Sequence, residues 1–235
     1  MKTKFIAMVM TMLLAGSALA VDSGGNSVYI DQTNADNSVV TITQTGSNNS
    51  VGDPNSLIAP SFKIDGNGIT ANLTQDGMNN SITGQIIGGG TIANITQTGN
   101  GNSTNLNMGN MGTDGGILGI TVTGNNNTTG LNIGTTRDSS NYNYNASITG
   151  NSNSLTSNIN SKNTNNSITV SGDSNTITTT QTGANGNATT GGHNITISNI
   201  GSYNNVSVLQ NGTTNPNSAT VNLTGSNASV SVIQH

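Results

Sequence analysis

Ile42-Thr43-Gln44-Thr45-Gly46-Ser47-Asn48-Asn49 is the stretch on which the fold turns. Read with period two, Ile42 and Gln44 point to one side and Thr43 and Thr45 to the other, which is the pattern of a half-buried strand. Gly46 supplies a position that accepts positive φ. Asn49 carries a short amide able to close a turn onto nearby backbone. The stretch predicts a short strand with an aliphatic/Gln inner face and a hydroxyl outer face, ended by a tight corner.

The same frame recurs along the chain. With Gln44 as position zero, it returns at Gln32, Gln75, Gln97, Val122, Ile148, Val170, Gln181, Asn199, Gln210 and Leu223, eleven copies in all. Two residues on stand Gly46, Gly77, Gly99, Gly124, Gly150, Gly172, Gly183, Gly201, Gly212 and Gly225, with Asn34 as the one departure. Five residues on stand Asn37, Asn49, Asn80, Asn102, Asn127, Asn153, Asn175, Asn204 and Asn215. Two residues before zero the position is aliphatic in nine copies, among them Ile30, Ile42, Leu73, Ile95, Ile120, Ile168, Ile197 and Val221. Val208 holds the same place before Gln210, and Gln234 closes the last arm.

Successive zero positions are separated by 12, 31, 22, 25, 26, 22, 11, 18, 11 and 13 residues. Most gaps lie near one or two arms of about 11 residues, and the longer ones hold a second apolar segment, such as Leu106-Asn107-Met108 or Leu131-Asn132-Ile133. Two arms per coil of about 22 residues predict an all-β solenoid of about eight strand-turn-strand coils, with two stacked parallel sheets. Stacked coils place Ile over Ile and Gln over Gln. Each amide can then bond the next, relieving a burial cost of roughly 1–3 kcal/mol per unpaired group. The first arm begins at Ser27 and the last runs to Gln234, and neither shows the polar or irregular cap that keeps a solenoid monomeric.

Composition agrees. Aromatic residues make up 3% and charged residues 6% of the 235 residues, there is no Cys, and the amide-rich remainder suits repetitive β structure. The absence of Cys rules out disulfide support. Met1 to Ala20 reads as a secretory signal, with Lys2 and Lys4 before an apolar run and Ala18-Leu19-Ala20 at the cleavage position. The expected organisation is a signal peptide over 1–20, a short segment over 21–26 and a repeat solenoid over 27–235, with no membrane span after cleavage. From Val21 onward three cations face nine Asp, a formal charge of −6, which argues against nucleic acid or an anionic membrane as partner.

The repeat as quoted, clearest in Ser38 to Val51, Ala93 to Thr104 and Val206 to Asn215, resembles that of the curlin family, the subunits of curli fibres. The resemblance spans Ser27 to Gln234, with degenerate stretches at 52–66 and 109–119. It implies a secreted bacterial subunit that polymerises into an extracellular or cell-surface functional amyloid in an adhesion or biofilm matrix. The partners it implies are further copies of the chain, other curlin-like subunits, and a curli-type export and nucleation system. Two departures stand beside it: only Val21 to Asn26 occupy the place of the family's Gly/Asn-rich export segment, and Val122, Ile148 and Val170 interrupt the Gln file.

No catalytic or metal-binding constellation emerges, and no cofactor is expected. His193 and His235 are far apart and lack Cys or clustered carboxylates. Gly88-Gly89-Gly90 and Gly115-Gly116 resemble phosphate loops only superficially, since no helical pattern follows either. The Asp residues are scattered, and Asp31, Asp76 and Asp173 read as charges that temper aggregation. The expectation is a non-enzymatic structural protein. One alternative is a monomeric ice-binding solenoid, because outward hydroxyl pairs recur at 43/45, 96/98, 121/123, 147/149 and 169/171. Another is a fibre nucleator or an adhesin-type surface-binding module.

Overall fold

The computed structural model of the chain describes residues 7–12, 16–21, 23–52, 62–109, 116–134, 143–161, 163–182, 192–212 and 215–235. Within them the chain forms strands and turns, with no helix. In chain order the strands are β1 (Ala7–Met12), β2 (Gly16–Val21), β3 (Ser27–Thr33), β4 (Val39–Ser47), β5 (Ser50–Val51), β6 (Phe62–Asp65) and β7 (Thr70–Met78). Next come β8 (Ser81–Ile87), β9 (Ile92–Ala93), β10 (Thr96–Thr98), β11 (Ser103–Met108), β12 (Thr121–Thr123), β13 (Thr128–Ile133) and β14 (Asn143–Thr149). The series closes with β15 (Ser154–Asn160), β16 (Asn165–Ser171), β17 (Thr176–Thr182), β18 (Asn194–Ile200), β19 (Asn205–Asn211), β20 (Ser218–Thr224) and β21 (Ser229–Gln234).

Two sheets result. Sheet A runs β1-β4-β7-β10-β12-β14-β16-β18-β20, with β9 extending the layer of β10. Sheet B runs β2-β3-β5-β8-β11-β13-β15-β17-β19-β21, with β6 continuing the layer of β5. From β3 onward every pairing is parallel, and the chain alternates between the sheets, so about seven turns separate β4 from β20. This is the two-sheet parallel β-solenoid that the repeat implies. The short strand Phe62–Asp65 also gives part of the degenerate 52–66 stretch a place in sheet B.

Alternation produces the core. Along β4, Val40, Ile42 and Gln44 are buried while Thr41, Thr43 and Thr45 are half-exposed, and the same inside/outside rhythm runs through β14 to β19. The inner faces of the two sheets meet in one apolar column, from Val28 and Ile30 through Leu106, Ile148 and Ile168 to Val208 and Val221. Ile42, Leu73, Ile95, Ile120 and Ile197 lie in it, all buried. Phe62 and Tyr144 are its largest side chains.

The two corners of each coil differ, and the difference explains the uneven repeat spacing. The corner from sheet A to sheet B keeps one length, as in Gly46 to Asn49, Gly99 to Asn102 and Gly150 to Asn153. The return corner absorbs the variation: four residues separate β8 from β9, and eleven separate β17 from β18. Insertions are tolerated there because a solvent-facing connection needs only to return the chain to register.

Candidate functional site: the stacked amide ladders

Position zero is split between the sheets. Gln44, Gln75 and Gln97 form a ladder in sheet A, followed upward by Val122, Ile148, Val170, Asn199 and Leu223. Gln181, Gln210 and Gln234 form a second ladder in sheet B, and Gln32 holds the equivalent place at its lower end. The eleven frames therefore mix arms from both faces. Where one face carries Val122 and Ile148, the other carries Met108, Ile133 and Ile159, so the middle of the column is apolar on both sides.

Gln44, Gln75 and Gln210 each bond in two directions. Gln44 Nε2 donates to Gln75 Oε1 at 2.8 Å, and Gln75 Nε2 to Gln97 Oε1 at 3.0 Å. In sheet B, Gln181 Nε2 donates to Gln210 Oε1 at 3.0 Å and Gln210 Nε2 to Gln234 Oε1 at 2.9 Å. The remaining N–H crosses the core to a carbonyl at the start of the facing strand: Gln44 to Ser27, Gln75 to Ser50, Gln97 to Ser81, Gln210 to Asn194 and Gln234 to Ser218. The ladder joins coils and also ties the two sheets together. Three amide atoms at the lower end have no partner: Gln32 Nε2, Gln32 Oε1 and Gln44 Oε1.

A third ladder fills the constant corner. Asn49, Asn80, Asn102, Asn127, Asn153, Asn175 and Asn204 stack there, all buried. The Nδ2 of Asn127 donates to Asn102 Oδ1 at 3.0 Å and to Gly150 O at 2.7 Å, while its own Oδ1 accepts from Asn153 N at 2.9 Å. The file starts at Asn26, whose Oδ1 accepts from Asn49 N at 3.0 Å. The sequence carried that sign: Asn stands before the opening Ser of sheet B strands at Asn26, Asn49, Asn80 and Asn102. Asn37 instead lies exposed at the return corner with φ 55°, and Asn215 is exposed there too.

The glycines that precede this file are a geometric necessity. Gly46, Gly77, Gly99, Gly124, Gly150, Gly172 and Gly201 have φ between 103° and 131°, and a Cβ on any of them would lie 1.9–2.1 Å from the carbonyl oxygen of the glycine above. Gly225 shares the conformation but has nothing above it within 4 Å. Gly212 belongs to the other corner and lacks the left-handed φ, and Gly183 lies outside the described residues. Beside the glycines runs an outer file that the four-position repeat did not single out. Met78 N donates to Asn100 Oδ1, Asn100 N to Asn125 Oδ1, Asn151 N to Asp173 Oδ1 and Asp173 N to Ser202 Oγ.

The outward face of sheet A aligns its hydroxyls. Thr43, Thr74, Thr96, Thr121, Ser147, Thr169 and Ser198 are successive register partners. Beside them run Thr45, Asp76, Thr98, Thr123, Thr149 and Ser171. Parallel stacking spaces such files at about 4.8 Å along the column, and i, i+2 neighbours at roughly 6.7 Å across it. Asp31 and Lys63 are register partners on the outer face of sheet B, where Lys63 also reaches Asp65 at 3.0 Å. That ammonium, the largest influence, holds the Asp65 carboxyl below its usual range.

His193 is buried at the return corner before β18. Its Nδ1 accepts from Asn217 N at 3.1 Å, which places the proton on Nε2, facing Thr182 O at 3.3 Å. Burial is the main cause that pulls its pKa below 6.5, against the raising effect of its bonds to Thr182 and Gly212. A depressed histidine pKa means that the unfolded chain binds the proton more readily. The stability this corner contributes is therefore whole above about pH 6.5 and is lost as pH falls toward the depressed folded value. His193→Gln, which keeps an acceptor and a donor, is expected to flatten the denaturation midpoint between about pH 5 and 7; an unchanged slope would exclude the histidine as its source.

Among the described residues no group of three or more metal-ligating side chains comes together. Among the described residues the one buried phenol, Tyr144, is held by Ser157 Oγ at 2.9 Å and, through it, by Thr179 Oγ1 at 2.7 Å, a chain of hydroxyls closed within the core. No protein-family model, no curated protein and no solved structure matches the chain.

Proposed function

We propose that this protein is the structural subunit of an extracellular, curli-like amyloid fibre, in which copies add end to end by continuing the amide ladders. The observation that carries the reading is the rung geometry. Gln, Asn and backbone bonds run from coil to coil in one repeated arrangement, and a coil from a second copy can supply the next rung on the same terms as one from the same chain. The strands concerned also match. Ser27-Val28-Tyr29-Ile30-Asp31-Gln32 in β3 and Ser229-Val230-Ser231-Val232-Ile233-Gln234 in β21 agree at Ser, Val, the second aliphatic and Gln, and both belong to sheet B. Val230, Val232 and Gln234 are part-exposed where their equivalents below are buried, so a second copy's β3 laid on β21 buries them and brings Gln234 Nε2 to Gln32 Oε1.

The test starts with the chain from Val21. Fibres with cross-β spacings of about 4.7 and 10 Å are expected near neutral pH, and a chain that stays monomeric overturns the reading. Gln32→Leu sharpens it. Removing a buried, unpaired amide is expected to leave the monomer as stable or more stable by up to about 1–3 kcal/mol, yet to slow fibre growth because the joint loses its acceptor. Growth at the unchanged rate would exclude Gln32 from the joint.

The hydroxyl files of sheet A favour a second reading, a monomeric solenoid that binds ice. Regular files of small hydroxyls on a sparingly charged flat face are what an ordered water lattice could match, and Asp76 is the charge that interrupts them. Thermal hysteresis in solutions of the monomer, abolished by Thr121→Tyr, would support it, and its absence would remove it.

A further inference from the structure

The lower end of the stack is covered by the chain's own leader, in the one arrangement that cannot propagate. β1 lies along β4 and β2 along β3, and these are the only antiparallel pairings among the described strands. Their register is in phase with the core. Met8, Met10 and Met12 stand opposite Gln44, Ile42 and Val40, and Gly16, Ala18 and Ala20 stand opposite Gln32, Ile30 and Val28. The apolar residues of the secretory signal thus occupy the register positions that the inward residues of a further coil would occupy, in both sheets at once.

Two features make this layer a terminator. Its strands run against the direction of all the others, so a copy approaching in the parallel sense of the interior coils meets edges of the wrong polarity. The residues opposite the two glutamines are Met8 and Gly16, neither of which has a side-chain amide, and the atoms left without a partner are Gln44 Oε1 and both amide atoms of Gln32. The ladder ends are covered there but not satisfied.

We infer that β1 and β2 act as an intramolecular cap that holds the unprocessed chain out of the fibre, and that removal of the leader uncovers β3 and β4 for a second copy. The inference rests on the fibre reading for the partner it names, while the cap itself can be read in the monomer. The physical sense of such a device is that a chain able to polymerise stays blocked until it has been exported and cleaved.

The experiment compares the full chain, the chain from Val21, and a full-length Val9→Pro/Met10→Pro double variant, all offered to sonicated fibre seeds of the chain from Val21. Adjacent prolines remove the ladder N–H of β1 whichever of the two residues donates it, and they leave the leader apolar. The full chain is expected to elongate seeds more slowly by about tenfold or more, since a cap closed nine-tenths of the time leaves a tenth of the ends open. The proline variant is expected to recover most of the rate of the cleaved chain. Equal rates for the full and cleaved chains would overturn the cap. Amide exchange on dilute monomer gives the independent reading. Protection of edge amides in β3 and β4 is expected in the full chain and is lost on cleavage. If the cleaved chain forms no fibres while that protection is still lost, the fibre reading fails and the cap stands; if protection is the same in both chains, the cap fails whatever the fibres do.

Discussion

Gly99→Ala is expected to break the column at one level rather than to loosen it evenly. The new methyl would lie 2.0 Å from Gly124 O and 2.8 Å from Gly124 C, and the atoms in its way are backbone that no rotamer change can move. Gly99 also has φ 112°, which by itself costs a non-glycine residue of order 1–3 kcal/mol. Relief requires the coils of β10 and β12 to separate, which stretches the Thr98–Gly124 backbone bond and the Asn102–Gly124 bond. The total is expected to exceed about 4 kcal/mol, in the range kept for a few severe mechanisms. Because each coil contacts only its neighbours, the loss is expected to divide one cooperative unfolding transition into two, with amide protection falling first in β10 and β12. Gly225→Ala is the matched control. It has φ 127° and nothing within 4 Å, so it carries the backbone cost alone and is expected to lose about 1–3 kcal/mol with one transition preserved. If the two variants lose the same stability, the clash between stacked glycines is not what demands glycine here.

That contrast also shows how far the sequence could be read. The identity of the corner glycines, the inward aliphatic positions and the parallel stacking were legible because each depends on a local rule, period two for strands or positive φ for glycine, repeated until chance is excluded. The sheet to which an arm belongs was not. Gln32, Gln181 and Gln210 follow the same local pattern as Gln44, Gln75 and Gln97, and only the pairing of strands places them in the opposite sheet. The cross-core bond from Gln44, Gln75, Gln97, Gln210 and Gln234 to a strand-opening carbonyl was hidden for the same reason, since it joins residues on different faces. The outer file of Asn100, Asn125, Asn151, Asp173 and Ser202 was present in the aligned frames but is chemically mixed. What its members share is an acceptor oxygen placed for the backbone N–H of the coil below. Asn37 shows the converse: it satisfies the linear pattern, yet it sits at the return corner, where the amide has no column to join.

The buried and outer files make opposite predictions for one change of chemistry, amide to carboxylate. In Asn127→Asp the shape is kept, but the donor that served Gly150 O at 2.7 Å and Asn102 Oδ1 at 3.0 Å becomes a third acceptor facing two others. Asn127 is buried, so the carboxylate is also stripped of water. A buried charge left without compensation costs about 3–5 kcal/mol, and that is the loss expected near pH 7. The group can escape by protonation, since one O–H then serves one of the two acceptors. Its folded pKa is therefore raised above the unfolded value near 3.9. A raised pKa means that the stability of the protonated form is fully present below about pH 4 and is lost as pH rises through the folded value. The deficit relative to the unsubstituted chain is expected to be smallest in acid and to grow toward neutrality. The difference has to be taken at each pH, because His193 gives the parent chain a slope of the opposite sign. Asn100→Asp, in the exposed outer file, keeps the oxygen that accepts from Met78 N and occupies a column where Asp173 already stands, so it is expected to change stability by no more than about 0.5 kcal/mol. Denaturant midpoints for both variants between about pH 3 and 7.5 decide the matter. A pH-independent deficit in Asn127→Asp would mean that the corner amide acts by shape alone, and the ladder would then be a consequence of the stacking rather than one of its causes.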